Sequence, residues 1–411
     1  MRCRHAFVAW RRFREERILW ENPLPALLNK TVYACIIKEI SARGGLKGEI
    51  GVLRNIRRKI YRKIRFKTWY RKCRHYHLKH RQIDQVIAKY KSPADLENKK
   101  YMRSLRRDMT HCLMKYGSYY DEYFQYGFEG KDDKYRSSFI TEGIRMSFYP
   151  RMNDPKNTNM LENKYLTYKK FKDFFKRDII CIRKNRELNE DSLKELREFS
   201  EKHREYIVKP IYAAFGKGVH MDKIENYASL EEAFEEYSTS GAVLEEIIEQ
   251  GPEMAIIHPQ SVNTLRIPTV IVKDEKGESR VELFNPTLRV GQHDSVVDNF
   301  SAGGISALID TRTGKIFTDG ADKKGHSFRR HPDTGVSFMG FQIPDWDEAV
   351  NMVKQAAMMV PGNHYCGWDL AYTAAQGWCM VEANCTAQMG GMQLVTKTGR
   401  RWELEALIAR M

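Results

Sequence analysis

The sequence predicts an α+β protein built on antiparallel sheets. From about residue 115 onward, strand-like runs alternate with amphipathic helices, and the last third holds apolar runs separated by turn sequences such as Asp-Glu-Lys-Gly-Glu and Thr-Arg-Thr-Gly. The 411 residues are 42% hydrophobic and 11% aromatic, which excludes a disordered or collagen-like chain and allows a sizeable core. Hairpins combined with helices are typical of the α+β class.

The basic residues are concentrated at the start of the chain. Residues 1–110 hold 30 Lys and Arg against 9 Asp and Glu, whereas the whole chain has a net charge of +16. Residues 54–81 contain 13 basic residues and no acidic one, with apolar residues at helical spacing. The pattern predicts a basic, mainly helical region that docks on an anionic membrane surface or only packs on the rest of the chain. Nucleic acid is the less favoured partner.

The sequence shows no signal for export. The first twenty residues lack an apolar stretch followed by a cleavage site, and no window reaches the roughly 18 apolar residues of a spanning helix. The 8 cysteines are scattered without a Cys-x-x-Cys pair, so the sequence indicates neither a disulfide framework nor a thiolate zinc site. We expect a cytoplasmic protein, either free in the cytoplasm or peripheral at the inner face of the membrane if the basic region binds there.

The elements follow one another with clear signals. Ser229 is placed as the N-cap of a helix that Gly241 ends, with Glu232 three residues on to complete a capping box. A strand follows directly. The other expected elements are a strand at 178–182, a helix at 191–203, two strands around a glycine loop at 205–224, a helix at 346–360 and two hairpin strands within 364–385.

Asp369, Glu382 and Asn384 form the first chemical group. Glu382 and Asn384 alternate in one apolar run, so they share a face of their strand, and the hairpin brings Asp369 beside them. Two carboxylates and an amide oxygen are hard ligands that suit Mg²⁺. Their apolar neighbours predict a buried setting, where an unpaired carboxylate would be costly.

Two further groups favour nucleotide binding. Lys209 ends a predicted buried strand, and Gly216, Lys217 and Gly218 follow in a short loop whose backbone N–H groups can cover phosphates. The strand that contains Glu245, Glu246, Ile247 and Ile248 offers edge groups for an adenine, and Glu253 could accept ribose hydroxyls. Taken singly, each of these patterns also fits an ordinary hairpin or a solvated strand end.

Together these residues resemble a known superfamily. Lys164, Lys209-Pro with its Gly-Lys-Gly loop, the Leu-Glu-Glu-Ile-Ile strand, and Asp369 followed 13 residues later by Glu382-x-Asn384 resemble the ATP-grasp superfamily over about residues 140–411. More narrowly, the chain resembles the sugar-transfer-associated ATP-grasp branch, linked to cell-surface polysaccharide biosynthesis. The segments that carry this likeness are His258-Pro, Ser261-Val-Asn263-Thr264-Leu-Arg266, Leu288-Arg289-Val-Gly291 and Asp298-Asn299-Phe-Ser-Ala-Gly303-Gly304.

The resemblance implies an ATP-grasp fold after the basic region at 1–115. The ATP-grasp domain would cover 116–411, with an ATP-lid subdomain at about 178–250 and a metal-binding subdomain at about 251–411.

The resemblance to the ATP-grasp superfamily also implies a role for each of the site residues. Lys164 and Lys209 would contact ATP phosphates, Gly216 to Gly218 would close over them, Glu245 to Ile248 would frame the adenine, Glu253 would hold the ribose, and Asp369, Glu382 and Asn384 would bind two Mg²⁺ ions.

The implied activity is that of an ATP-dependent carboxylate–amine ligase working through an acyl phosphate, on carboxylate and amine substrates that include a sugar or glycan intermediate. Arg266, Arg289 and Asn299 are the candidates for holding the acceptor or the transferred phosphate, although such arginines also form salt bridges with local acids. Some family members place an arginine just before the metal aspartate, where this chain has Cys366-Gly367-Trp368. The alternatives are a phosphotransferase acting on a hydroxyl group and a non-catalytic membrane adaptor.

Overall fold

A computed structural model describes residues 82–212, 218–295, 298, 300 and 303–411. The basic stretch at 54–81 lies outside these residues, as do the predicted site residues Gly216, Lys217 and Asn299. Among the described helices, none combines the length and the apolar character that a membrane crossing requires.

The described chain begins with a helical region whose core is aromatic. The helix α3 (Lys99–Tyr116) buries Met102, Leu105, Met109 and Cys112 at spacings of three and four residues, which is the apolar stripe of an amphipathic helix. The part of the predicted helical region that the structure describes is therefore helical. The helices are α1 (Ile83–Tyr90), α2 (Pro93–Glu97), α3 (Lys99–Tyr116), α4 (Tyr120–Gln125), α5 (Asp133–Ser137), α6 (Glu142–Met152), α7 (Pro155–Glu162), α8 (Lys164–Lys170) and α9 (Lys172–Phe175).

A four-stranded antiparallel sheet follows, in the order β1-β4-β2-β3. Its strands are β1 (Ile179–Ile182), β2 (Tyr206–Pro210), β3 (His220–Asp222) and β4 (Ala242–Glu246), and it packs with α10 (Glu190–Lys202) and α11 (Leu230–Ser240). Ser229 caps α11 as predicted. The predicted capping box does not close, because the Glu232 carboxylate accepts from the N–H of Ala228, one residue before the cap.

The larger sheet has the strand order β10-β9-β8-β7-β5-β11-β12, with β6 paired to the outer part of β5, and every pairing is antiparallel. One face of this sheet packs on the helix α13 (Trp346–Met358) through an apolar core that includes Leu265, Trp368 and Leu370. The elements are β5 (Thr264–Lys273), β6 (Ser279–Leu283), β7 (Thr287–Val290), β8 (Ile305–Leu308), β9 (Gly320–Ala321), β10 (Ser327–Phe328), β11 (Tyr365–Thr373), β12 (Gly377–Asn384), α12 (Pro252–Ala255), α13 (Trp346–Met358), α14 (Gly390–Thr396) and α15 (Arg401–Ile408). The predicted α+β class with antiparallel sheets is confirmed.

The start of α6 packs closely on the end of α3. The Gly143 N–H donates to the Gly117 carbonyl at 3.0 Å, and a Cβ on Gly143 would lie 2.8 Å from the Gly117 Cα. We expect Gly143→Ala to lower the free energy of unfolding by about 1–3 kcal/mol, because the added methyl must push two backbones apart. Gly391, which like Gly143 is the second residue of its helix, is the matched control, since its Cβ would meet only Ser306 Oγ at 3.8 Å. Denaturant unfolding that shows equal stability for the two variants would contradict this account.

Candidate functional site

Polar residues from four neighbouring strands share one face of the larger sheet. Asp369 on β11 lies opposite Arg266 on β5 and opposite Glu382 on β12, while Thr264 lies opposite Arg289 on β7. Residues directly opposite each other in antiparallel strands point to the same face. The structure therefore brings together Arg266, Arg289, Asp369 and Glu382, which the sequence had placed up to 116 positions apart.

Asp369 is held by two arginines. Its side chain is 4% exposed, and the Arg266 guanidinium donates to both carboxylate oxygens, at 2.7 Å from Nη2 to Oδ2. Arg289 Nη2 donates to the same Oδ2 at 2.9 Å. Burial raises the pKa of Asp369, but the two guanidinium groups outweigh it, so that the pKa lies below its ordinary value. Arginines are thus present beside this aspartate in the fold, although the three residues immediately before it in the sequence are Cys366, Gly367 and Trp368.

Thr264 and Asp298 extend the group, although neither was predicted from the sequence as a site residue. Arg289 Nη2 donates to the Thr264 hydroxyl at 2.7 Å, and that hydroxyl donates in turn to the Asp298 carboxylate. The Thr264 backbone N–H donates to the same carboxylate at 3.1 Å. Burial raises the pKa of Asp298. Both residues lie within segments that carried the resemblance, but their contact spans 34 positions and only the fold reveals it.

Glu382 and Asn384 provide oxygen atoms next to Asp369. The Glu382 carboxylate makes no hydrogen bond to any residue of the described ranges, and burial, followed by the charge of Asp369, raises its pKa. The Asn384 amide oxygen accepts from the Thr386 N–H at 3.1 Å. A half-buried carboxylate without a donor among the described residues can take a cation, and Asp369 Oδ1 accepts one hydrogen bond there, from Arg266, so it has a further lone pair to offer. The predicted oxygen ligand set therefore fits Mg²⁺.

The segment after Asn384 is held by α6. Three side chains on one face of the helix and at its C-cap donate to three consecutive carbonyls: Asn153 to Cys385 at 2.9 Å, Arg145 to Thr386 at 2.7 Å, and Tyr149 to Ala387 at 2.7 Å. These residues are spaced four apart, which places them in a row along a helix. No sequence motif pointed to them, because their partners lie more than 200 positions away.

Two lysines outside the larger sheet, Lys164 on α8 and Lys209 on β2, carry charges that act on the Glu382 carboxylate. Burial lowers the pKa of Lys164, and the charges of Glu382, Lys209 and Glu245 all act on its ammonium. Lys209 Nζ donates to Glu245 at 2.8 Å, and Arg177 Nη2 donates to the same carboxylate at 2.6 Å. Cations on α8 and in the smaller sheet therefore act on Glu382, a carboxylate of the larger sheet.

The remaining predicted nucleotide contacts lie in the smaller sheet, in its loops or just after it. The Glu246 carboxylate accepts from the Asp178 N–H at 2.9 Å, while Ile247 and Ile248 are half-buried. Glu253 is exposed on the short helix α12. Gly218 has a φ of +74°, and a Cβ there would lie 2.9 Å from the Pro210 ring, so this position suits glycine alone.

Comparison with known proteins agrees with this geometry. A family model described as sugar-transfer associated ATP-grasp matches residues 144–408. The chain belongs to this family. Its fold is accordingly the ATP-grasp fold, and the resemblance noted from the sequence is confirmed. No match was found among curated proteins.

Solved structures similar to this ATP-grasp protein are distant in sequence. The ATP-grasp ligase PsnB with its minimal precursor is 13% identical with a TM-score of 0.38, over 78% of this chain and 76% of that one. D-alanyl-alanine synthetase A from Vibrio cholerae is 10% identical with a TM-score of 0.37, over 62% and 66%. N5-carboxyaminoimidazole synthetase from Staphylococcus aureus, complexed with ADP, is 10% identical with a TM-score of 0.38, over 63% and 55%.

Thr264 offers a direct test of the polar group. We expect Thr264→Val to lower the free energy of unfolding by about 1–3 kcal/mol, because it removes the hydroxyl that accepts from Arg289 and donates to Asp298, so both charged groups lose hydrogen bonds. Thr264→Ser keeps the hydroxyl and should lose no more than about 1 kcal/mol for the missing methyl. Urea denaturation of both variants measures the difference. A valine variant as stable as the serine variant would show that the hydroxyl contributes nothing.

Proposed function

We propose that this ATP-grasp protein is a Mg-ATP-dependent carboxylate–amine ligase. One observation carries the proposal: the charges of Lys164 and Lys209 act on the half-buried carboxylate of Glu382, which lies opposite Asp369 on the polar face of the larger sheet. Ammonium groups opposite hard oxygen ligands match the two needs of a polyphosphate, namely cations for its oxygens and a divalent metal between them.

In the proposed reaction an oxygen of the substrate carboxylate attacks the γ-phosphorus of ATP. The bond from that phosphorus to the bridging oxygen breaks, ADP leaves, and an acyl phosphate forms. An amine then attacks the acyl carbon, the carbon–oxygen bond to phosphate breaks, and the amine nitrogen loses a proton. The products are the amide, ADP and inorganic phosphate.

Each residue has a proposed place in this scheme. Lys164 and Lys209 hold phosphate oxygens, the loop through Gly218 covers them, and the strand end at Glu246 with Glu253 accepts the adenosine. Asp369, Glu382 and Asn384 would hold Mg²⁺, which supplies positive charge so that an anionic carboxylate can approach a polyphosphate. Arg266 and Arg289 add fixed positive charge beside Asp369.

The proposed setting is the assembly or modification of a cell-surface polysaccharide. The sugar-transfer association in the name of the family supports this setting. In this proposal one substrate, the acid or the amine, is carried by a sugar or glycan intermediate. The basic residues at 54–81 would then hold the enzyme at the anionic inner face of the membrane, near membrane-bound intermediates.

Hydroxylamine trapping tests the ligase chemistry. The unaltered protein is incubated with Mg-ATP, pooled amino acids, uronic acids and other carboxylates, and hydroxylamine, and ADP and hydroxamate are measured together. We expect both products, and we expect Glu382→Gln to lower the rate by about 100-fold or more because it removes the negative charge of a proposed metal ligand. Glu348→Gln, which alters a carboxylate paired with Lys176, is the control and should retain the full rate. ADP without hydroxamate would favour phosphate transfer to a hydroxyl group, and a Glu382→Gln variant of normal rate would refute the metal assignment.

Vesicle sedimentation tests the membrane contact in the full chain. We expect binding to phosphatidylcholine vesicles that contain phosphatidylserine, and weaker binding by about 100-fold or more when five cations are changed to glutamine, since each contributes about 1 kcal/mol near an anionic surface. The five are Arg57, Arg58, Lys59, Arg62 and Lys63. The matched control changes five exposed cations of the described helical region: Lys99, Lys100, Arg103, Arg107 and Lys131. Equal losses in the two variants would mean that charge alone, and not this segment, drives the association.

A further inference from the structure

Arg177 connects the two sheets at the candidate site. It lies between α9 and β1, and its side chain is 5% exposed. Nη2 donates at 2.6 Å to the Glu245 carboxylate on β4, and Nη1 donates at 2.5 Å to the Met380 carbonyl on β12. Its guanidinium carbon lies 5.0 Å from the centre of the Phe175 ring. The rigid fork of one arginine thus spans a strand of the smaller sheet and the strand that carries Glu382.

Glu245 is shared between Arg177 and Lys209. Both cations donate to the same carboxylate oxygen, and the side chain is 6% exposed. Burial raises the pKa of Glu245, but Lys209 and then Arg177 outweigh it and lower the pKa to about 2, so the carboxylate is charged at neutral pH. Lys209 lies two residues beyond Ile207, the partner of Glu245 in the register, so the ion pair is diagonal on one face.

We propose that Arg177 is a positioning residue for the nucleotide phosphates: by holding Glu245 it fixes the ammonium of Lys209 and sets the distance of that ammonium from the carboxylates on β11 and β12. The inference rests on the proposed function, because it takes Lys209 to bind phosphate. It also gives Glu245 a different task from the adenine contact implied by the family resemblance. Glu245 acts on the phosphates through Lys209 and does not read the base.

The physical reason is the balance of charge around one buried carboxylate. Two cations share Glu245, so the group keeps an excess positive charge that an anionic phosphate can neutralise. Without Arg177, Lys209 is the one cation among the described residues that still donates to the Glu245 carboxylate. The positive charge of Lys209 is then largely neutralised by Glu245, and less of it is available to a phosphate. The bond from Arg177 to the Met380 carbonyl is lost as well, so β4 is no longer tied to the strand that carries Glu382. Phosphate binding and turnover should both suffer, whereas recognition of the base should not.

The experiment compares Arg177→Met, Arg177→Lys and Glu245→Gln with the unaltered full chain. Calorimetry gives Kd for Mg-ATP and for Mg-inosine triphosphate, which differs in the base but not in the phosphates, and ADP release gives kcat. For Arg177→Met we expect Kd for both nucleotides to rise about tenfold or more and kcat to fall, because a charge-assisted contact is lost. The ratio of the two Kd values should stay unchanged within about twofold. Arg177→Lys keeps the cation and should recover part of both losses. Glu245→Gln should likewise leave the ratio unchanged.

Lys176→Met is the matched control. Lys176 is the neighbouring residue and makes the same kinds of bond, to the Glu348 carboxylate at 3.0 Å and to the Gln376 carbonyl at 2.9 Å, but away from Glu245. It should leave both Kd values and kcat unchanged. Thermal unfolding gives the folded fraction of each variant, so that a loss of fold is separated from a loss of affinity.

Two results would overturn the inference while leaving the proposed function in place. One is an Arg177→Met protein whose folded fraction binds and turns over ATP as the unaltered chain does, since Arg177 would then have only a structural role. The other is a Glu245→Gln protein in which the ratio of the two Kd values changes about tenfold, since Glu245 would then read the base. An unaltered chain that binds neither nucleotide would overturn the proposed function and this inference with it.

Discussion

The contact of Asp369 with Arg266 and Arg289 is the constraint around which the larger sheet is arranged. A carboxylate that is 4% exposed needs charged partners, and both arginines reach it from neighbouring strands of the same face. That geometry requires β11 to lie between β5 and β12, with Asp369 opposite Arg266 on one side and Glu382 on the other. It also requires Gly367, because a Cβ there would lie 3.0 Å from the Arg266 side chain and 2.4 Å from Ala387 Cβ.

A shift in register on β12 completes the arrangement. Asp369 pairs with Glu382 but Leu370 pairs with Met380, so Val381 is the extra residue of a β-bulge. Without the bulge, Met380 and Glu382 would point to the same face. With it, Met380 joins the apolar core with Leu370, while Glu382 stays beside Asp369. The extra residue Val381 thus allows Met380 to face the apolar core and Glu382 to face the charged site, although the two are only two positions apart.

These details mark the limit of what the sequence predicted. The hairpin that carries Asp369, Glu382 and Asn384 follows from period-two alternation and a turn signal, and the N-cap at Ser229 follows from local chemistry. The bulge at Val381 has no local signal, and the partners of Glu245 and Asp298 depend on which strands become neighbours. Arg266 and Arg289 were recognised as site residues, but their bonds to Asp369 depend on a register between strands about 100 and 80 positions apart. Alternation along a strand fixes which face a residue occupies, whereas its partner depends on tertiary pairing.

The helical region also holds a segment of the candidate site in place. The chain leaves β12 at Asn384, and its next three carbonyls accept hydrogen bonds from Asn153, Arg145 and Tyr149. A carbonyl buried against a helix face needs such a donor, and three in a row fix the path of the backbone. The direction of the Asn384 side chain is therefore set by α6, which in turn packs on α3 through Gly143 and Gly117. Helix α6 thus holds the segment next to one proposed metal ligand in place, although it contributes none of the proposed metal ligands itself.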